Sequence, residues 1–288
     1  MSIKGLWVPL VTPFKDEELD MISYKRLVDH YIGEGVHGLM PLGTTGETPT
    51  LTDLEYEEVI AKSMEFVNGR VPVIIGLGGN NTKAVQEKLK LAEKYKVQGI
   101  LSVSPYYNRP DQRGIYEHFN RISDSTDLDI LLYNIPYRTG RNMDNDTILR
   151  LAEKKNIIGI KDACGDFDQT IELLLNKPEN FSVMSGEDTL LYSSLLLGGD
   201  GGVTASSHIR TKDFLKVYND IQNNDAKSAL ETWKELSRII PLMFKEPNPT
   251  PIKYMLEKIG LIDSQEVRLP LLNITDELKK ELDSKIAL

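Results

Sequence analysis

Cysteine is almost missing from this chain: Cys164 is the only one in 288 residues. A single thiol forms no intramolecular disulfide and no cysteine-cluster metal site, and it agrees with a reducing compartment, so the cytoplasm is the expected location. Histidine is scarce as well. His30, His37, His118 and His208 are the only four, and none stands at H-x-x-E-H or a similar ligand spacing. No metal and no cofactor are expected. Positive charge is in the minority, with 34 Lys and Arg against 43 Asp and Glu, a net charge of -9 and a pI near 5.1. A basic surface that tracks phosphates is therefore not suggested, and nucleic acid is an unexpected partner. No apolar run approaches the roughly 18 residues of a membrane span. The opening stretch from Met1 to Phe14 is apolar but short, is interrupted by Pro9 and Pro13, and lacks a basic leading region. It reads as a first strand, not as a signal. A dinucleotide fingerprint after that strand is missing, and neither GTTGE nor GLGGN is followed by the G-K-[ST] of a phosphate loop.

What the chain does have is a regular alternation. Eight short apolar or β-branched runs recur about every 30 residues, the size of a βα unit. They begin at Gly5, Val36, Val71, Gln98, Asp129, Ile157, Phe181 and Gly201. Between them lie amphipathic helical stretches such as LEYEEVIAKSMEF, AVQEKLKLAEKY and NDTILRLAEKK, several preceded by Thr, Asp or Asn in N-cap position. Eight such units predict a closed (β/α)8 TIM barrel in preference to an open doubly wound sheet. From about Thr211 the pattern turns wholly helical. Residues 1–224 are thus expected to form the barrel and 225–288 a C-terminal helical extension packed on it.

Barrels of this class place reactive groups at the carboxyl ends of their strands. That filter selects Thr12, the turn Gly43-Thr44-Thr45-Gly46-Glu47, Gly78-Gly79-Asn80, Pro105-Tyr106-Tyr107-Asn108, Tyr133-Asn134, Lys161-Asp162, Gly186-Glu187 and Thr204. Lys161 closes the apolar run IIGIK; an ammonium drawn into an apolar barrel mouth loses hydration, its pKa falls, and the neutral amine becomes a nucleophile. The plain alternative is a solvated lysine at a strand end. Tyr133 closes the neighbouring run, where a phenol can shuttle protons, although a half-buried structural tyrosine would look the same. Thr44 and Thr45, between two glycines, can converge N–H groups and hydroxyls on a carboxylate. Arg138 lies in the Pro- and Gly-bearing loop NIPYRTGRN, where a guanidinium can grip a carboxylate bidentately; Arg141 is a rival.

These segments resemble the dihydrodipicolinate synthase / N-acetylneuraminate lyase family. The likeness rests on GTTGE, Tyr106-Tyr107-Asn108, Tyr133-Asn134-Ile135-Pro136 with Arg138-Thr139-Gly140, Ile160-Lys161-Asp162, Ser185-Gly186-Glu187-Asp188, Gly198-Gly199-Asp200-Gly201 and Glu246-Pro247-Asn248-Pro249, in family order along the whole chain. The Thr44-Thr45 pair with Arg138 looks like the synthase branch. The resemblance implies an imine between Lys161 and pyruvate, and condensation with L-aspartate 4-semialdehyde on the diaminopimelate route to lysine. It further implies a proton relay of Thr44, Tyr133 and Tyr107, the last reaching in from a neighbouring subunit of a homotetramer built as a dimer of dimers. Thr45 and adjacent N–H groups would hold the pyruvate carboxylate, Arg138 the semialdehyde carboxylate, and the carbonyls of Gly186 and Val203 would line the pocket. Asp53, Tyr56 and Ala84 depart from the members inhibited by lysine, so weak or absent inhibition by L-lysine is expected. Two alternatives stand beside this reading: a sister aldolase acting on N-acetylneuraminate or a 2-keto-3-deoxy sugar acid, and a non-catalytic barrel that binds a keto acid.

Overall fold

The computed structural model describes residues 3–286. Each of the eight apolar runs becomes a strand, and all eight belong to one sheet, with helices intervening as in a (β/α)8 barrel. They are β1 (Gly5–Val8), β2 (Gly38–Leu39), β3 (Ile74–Gly76), β4 (Gly99–Val103), β5 (Asp129–Asn134), β6 (Ile157–Asp162), β7 (Ser182–Ser185) and β8 (Gly201–Val203). The strands are shorter than the runs. In β1 the ladder stops before Pro9, which has no N–H to offer.

The described residues divide into two compact units, one of residues 3–5 with Ile74–Val203, the other of Leu6–Val73 with residues 204–286. In the first unit, β3 to β8 pair in parallel with their chain neighbours. Strands covered on both faces read as continuous apolar runs, and accordingly Ile100, Ile130, Leu131, Leu132, Ile160 and Val183 are fully buried. Helices Thr82–Lys94, Gln112–Ser123 and Phe167–Asn176 start at Asn81, Asp111 and Asp166, whose side chains accept the orphan N–H groups of the first turn; each cap stabilises by about 1 kcal/mol.

In the second unit β1 pairs in parallel with β2, Trp7 opposite Gly38. A Cβ at Gly38 would stand 2.4 Å from the Trp7 ring, so glycine is required there. Helix Asp53–Val67 opens with a capping box of Thr52 and Glu55. A ribbon of Phe14–Lys15 and Glu18–Leu19, not expected from the sequence, turns through Asp16 and Glu17, both in the left-handed region at φ 53° and 66°.

The region after Thr211 is less helical than its periodicity predicts. Helices Thr211–Gln222, Ala226–Ile239, Thr250–Lys258 and Asp276–Lys285 form, but a 3-10 segment, Ile240–Phe244, takes over at Pro241, which cannot donate to the preceding turn. Residues 261–275 are irregular. They bury Ile262 and Ile274. Among the described residues, no helix is long and apolar enough to cross a membrane.

Candidate active site

Lys161 and Tyr133 are register partners on β6 and β5. Every residue of β6 is buried, Lys161 included, and its Nζ stands 4.5 Å from the centroid of the Tyr133 ring. Burial is the main reason the lysine pKa falls to about 8; the Arg138 cation lowers it further, while Asp188 and Glu187 oppose both. A pKa of that order leaves an appreciable neutral fraction near pH 7, against about one molecule in a few thousand for an unperturbed lysine. Space for the lysine stem comes from Gly186, where a Cβ would lie 2.8 Å from Lys161 Cγ and 2.9 Å from Cε. Gly186 N–H donates to the Asp162 carbonyl at 2.6 Å, fixing that approach. Val203 is fully buried in β8.

Asn134 secures the loop after β5. Its amide donates to Asn142 Oδ1 and to the Met143 carbonyl, and its Oδ1 accepts the Met143 N–H. On this loop Arg138 is exposed, and its guanidinium lies 5.0 Å from the Tyr137 ring. Arg138 contributes to the field at Lys161.

Tyr107 is not gathered with Lys161 and Tyr133. It is 90% exposed, at a left-handed φ of 70°. Its loop is nevertheless firmly held: the Asn80 amide donates to the Tyr106 carbonyl at 3.1 Å and the Asn108 amide to the Asn80 carbonyl at 2.9 Å.

Thr44 and Thr45 lie in the second unit, in a 3-10 turn, Thr44–Gly46, entered from Gly43. The N–H groups of Gly46 and Glu47 are consumed by the carbonyls of Gly43 and Thr44. Those of Thr44 and Thr45, at the start of the turn, have no acceptor within it. Such a turn offers adjacent N–H donors and hydroxyls to an anion.

Asp188 and Asn248 were not singled out by the strand-end filter. Asp188 is buried and acts at Lys161 through its charge; two carboxylates immediately after Gly186 were its only trace. Asn248 donates to Thr45 Oγ1 at 3.0 Å, a contact across about 200 positions that no local pattern announces. Two of the histidines have structural tasks. His208 Nε2 accepts the Val11 N–H and its Nδ1 faces the Ala205 carbonyl, while His37 Nδ1 accepts the Leu6 N–H.

A (β/α)8 barrel whose sixth strand carries, one residue before its end, a buried lysine of depressed pKa over a tyrosine ring defines a scaffold for amine-nucleophile chemistry on carbonyl compounds. Residues 2–287 match the Dihydrodipicolinate synthetase family. Over 283 residues the chain is 58% identical to 4-hydroxy-tetrahydrodipicolinate synthase 2 of Clostridium acetobutylicum, covering 98% of this chain and 99% of that one. The crystal structure of dihydrodipicolinate synthase from Aquifex aeolicus matches with a TM-score of 0.95 at 34% identity, covering 98% and 96% of the two chains. The chloride-inhibited enzyme of Acinetobacter baumannii, complexed with pyruvate, matches with a TM-score of 0.95 at 36% identity, over 99% and 98%. The chain belongs to the dihydrodipicolinate synthetase family.

Proposed function

We propose that the chain is a lyase that condenses pyruvate with L-aspartate 4-semialdehyde to 4-hydroxy-tetrahydrodipicolinate, through an imine on Lys161. The observation that carries this reading is the buried Lys161 Nζ, its pKa lowered to about 8, over the Tyr133 ring. The neutral amine adds to the pyruvate ketone, and loss of water from the carbinolamine leaves a protonated imine. That cation is the electron sink: loss of a methyl proton gives an enamine carbon nucleophile, which attacks the semialdehyde's aldehyde. The substrate's own amine then displaces Lys161 from the imine carbon, closing the ring and restoring the free lysine.

In this reading Tyr133, Thr44 and Tyr107 carry protons during dehydration and aldol addition. Thr45 and the N–H groups of its turn take the pyruvate carboxylate, Arg138 takes the semialdehyde carboxylate, and Gly186 and Val203 line the pocket. The exposed Tyr107 on a tightly held loop supports a role in a neighbouring subunit, hence a homotetramer built as a dimer of dimers. A biosynthetic reaction of this kind and the single cysteine suit the cytoplasm. Residues 225–288 are read as the extension to a barrel of residues 1–224.

Borohydride reduction in the presence of pyruvate, followed by intact mass and peptide mapping, tests the proposal. The expected result is one pyruvate-derived adduct, confined to Lys161; its absence under turnover conditions would overturn the mechanism. Cleavage of a sugar acid faster than condensation with the semialdehyde would favour the sister aldolase.

A further inference from the structure

The ion pair of Lys253 and Glu47 is almost completely buried, with side-chain exposures of 0% and 1%. Pairs of this kind seldom contribute net stability, because desolvation offsets their attraction and an apolar replacement is often as stable. What they do provide is a fixed geometry. Glu47 ends the Gly43–Glu47 turn in the left-handed region, at φ 53°. One carboxylate oxygen meets Lys253 Nζ and the other accepts the Arg268 N–H at 3.0 Å. Lys253 is itself held from two further sides, donating to the Glu266 carbonyl at 2.8 Å and standing 4.2 Å from the Phe14 ring centroid.

A second tether reaches the same turn. The Asn248 amide donates to Thr45 Oγ1 at 3.0 Å, which uses an acceptor lone pair of that hydroxyl and leaves its proton to be donated elsewhere. Thr12 Oγ1 donates to the Gly46 carbonyl at 2.8 Å and Thr48 Oγ1 to the Gly43 carbonyl at 3.0 Å. The carbonyls of Gly43 and Gly46 and the side chain of Glu47 are thereby engaged. Its remaining donors are those that would meet a carboxylate.

We propose that Lys253 and Asn248 are positioning residues for keto-acid binding: acting through Glu47 and Thr45, they hold the Gly43–Glu47 turn in the conformation that presents its donors to the carboxylate. The inference rests on the reading that this turn takes the pyruvate carboxylate. Neither residue touches the reacting carbon, so loss of the tether weakens capture of pyruvate and leaves later steps alone.

The test follows the pyruvate concentration at which half of Lys161 is trapped by borohydride, in the wild type, in Asn248→Ala and in the double variant Glu47→Gln with Lys253→Met, which leaves no buried charge unpaired. Both variants are expected to raise that midpoint about fivefold or more, with complete trapping at saturation and kcat and the semialdehyde KM within about twofold of wild type. No adduct in the wild type would overturn the underlying reading of Lys161. Normal trapping of the wild type, with variant midpoints within about twofold of it, would overturn the positioning role alone. Should the double variant fail to fold, judged by its Tm, Asn248→Ala decides on the same criterion.

Discussion

Lys161 and Tyr133 face each other across one rung of the ladder between β5 and β6, with Nζ 4.5 Å from the ring centroid. Strand pairing therefore fixes their distance. Two mobile loops could not hold an amine and a phenol so near each other without further support.

The first prediction concerns pH. Imine formation needs the neutral amine, so kcat/KM for pyruvate is expected to rise with pH and level off above the Lys161 pKa of about 8. Arg138 lowers that pKa and Asp188 raises it. Arg138→Ala should therefore move the acid limb to higher pH, and Asp188→Asn to lower pH. Limbs that stay put in both variants would show that these charges do not act on the nucleophile.

The two arginines of the loop after β5 are separated by kinetics. Arg138→Ala is expected to raise the semialdehyde KM or depress kcat by about tenfold or more, as loss of a bidentate charged contact does. Arg141→Ala should remain near wild type. The reverse pattern would transfer the carboxylate contact to Arg141.

Tyr107 offers a test by mixing. If its phenol serves a neighbouring subunit, Lys161→Ala and Tyr107→Ala are each nearly inactive alone. Mixed oligomers of the two, formed by dissociation and reassembly, should regain part of the wild-type activity. Light scattering gives the oligomeric state of the same samples, and mixtures that reassemble but are no more active than their parents would assign the Tyr107 phenol to its own subunit.

L-lysine is expected to inhibit weakly or not at all. The resemblance implies that Asp53, Tyr56 and Ala84 depart from the lysine-inhibited members, and Ala84 provides no carboxylate for an ammonium. Loss of half the activity at micromolar lysine would sink this expectation.

Stability should fall in acid through His208. Burial pushes its imidazole down to about 4, below the unfolded value of about 6.5. The folded chain thus resists a proton that the unfolded chain accepts. The contribution is fully present above pH 6.5 and is lost as pH falls toward 4, with a slope of at most about 1.4 kcal/mol per pH unit. Urea unfolding of wild type and His208→Gln at pH 7, 5.5 and 4.5 measures it; parallel losses would assign the acid sensitivity elsewhere.

All eight strands were legible in the sequence because a doubly covered parallel strand needs an unbroken apolar run, and such runs are visible without partners. Lys161 was legible for the same reason: a cationic residue closing IIGIK is conspicuous. Less was visible where contacts are non-local. The field of Asp188 on Lys161 and the reach of Asn248 to Thr45 depend on tertiary placement, not on any period. The irregular segment 261–275 was overlooked because isolated apolar residues such as Ile262 and Ile274 resemble fragments of a helical stripe until their backbone is seen.

That segment also bears on how the chain could vary by descent. Arg268 donates to the Thr50 carbonyl at 3.2 Å, pairs with Glu55 and meets the Glu17 carbonyl, so one side chain near the end serves three places near the beginning. A stretch wired in this way is no exchangeable cassette. Its replacement by the corresponding piece of a distant relative would succeed only if the matching positions around Glu17, Thr50 and Glu55 travelled with it.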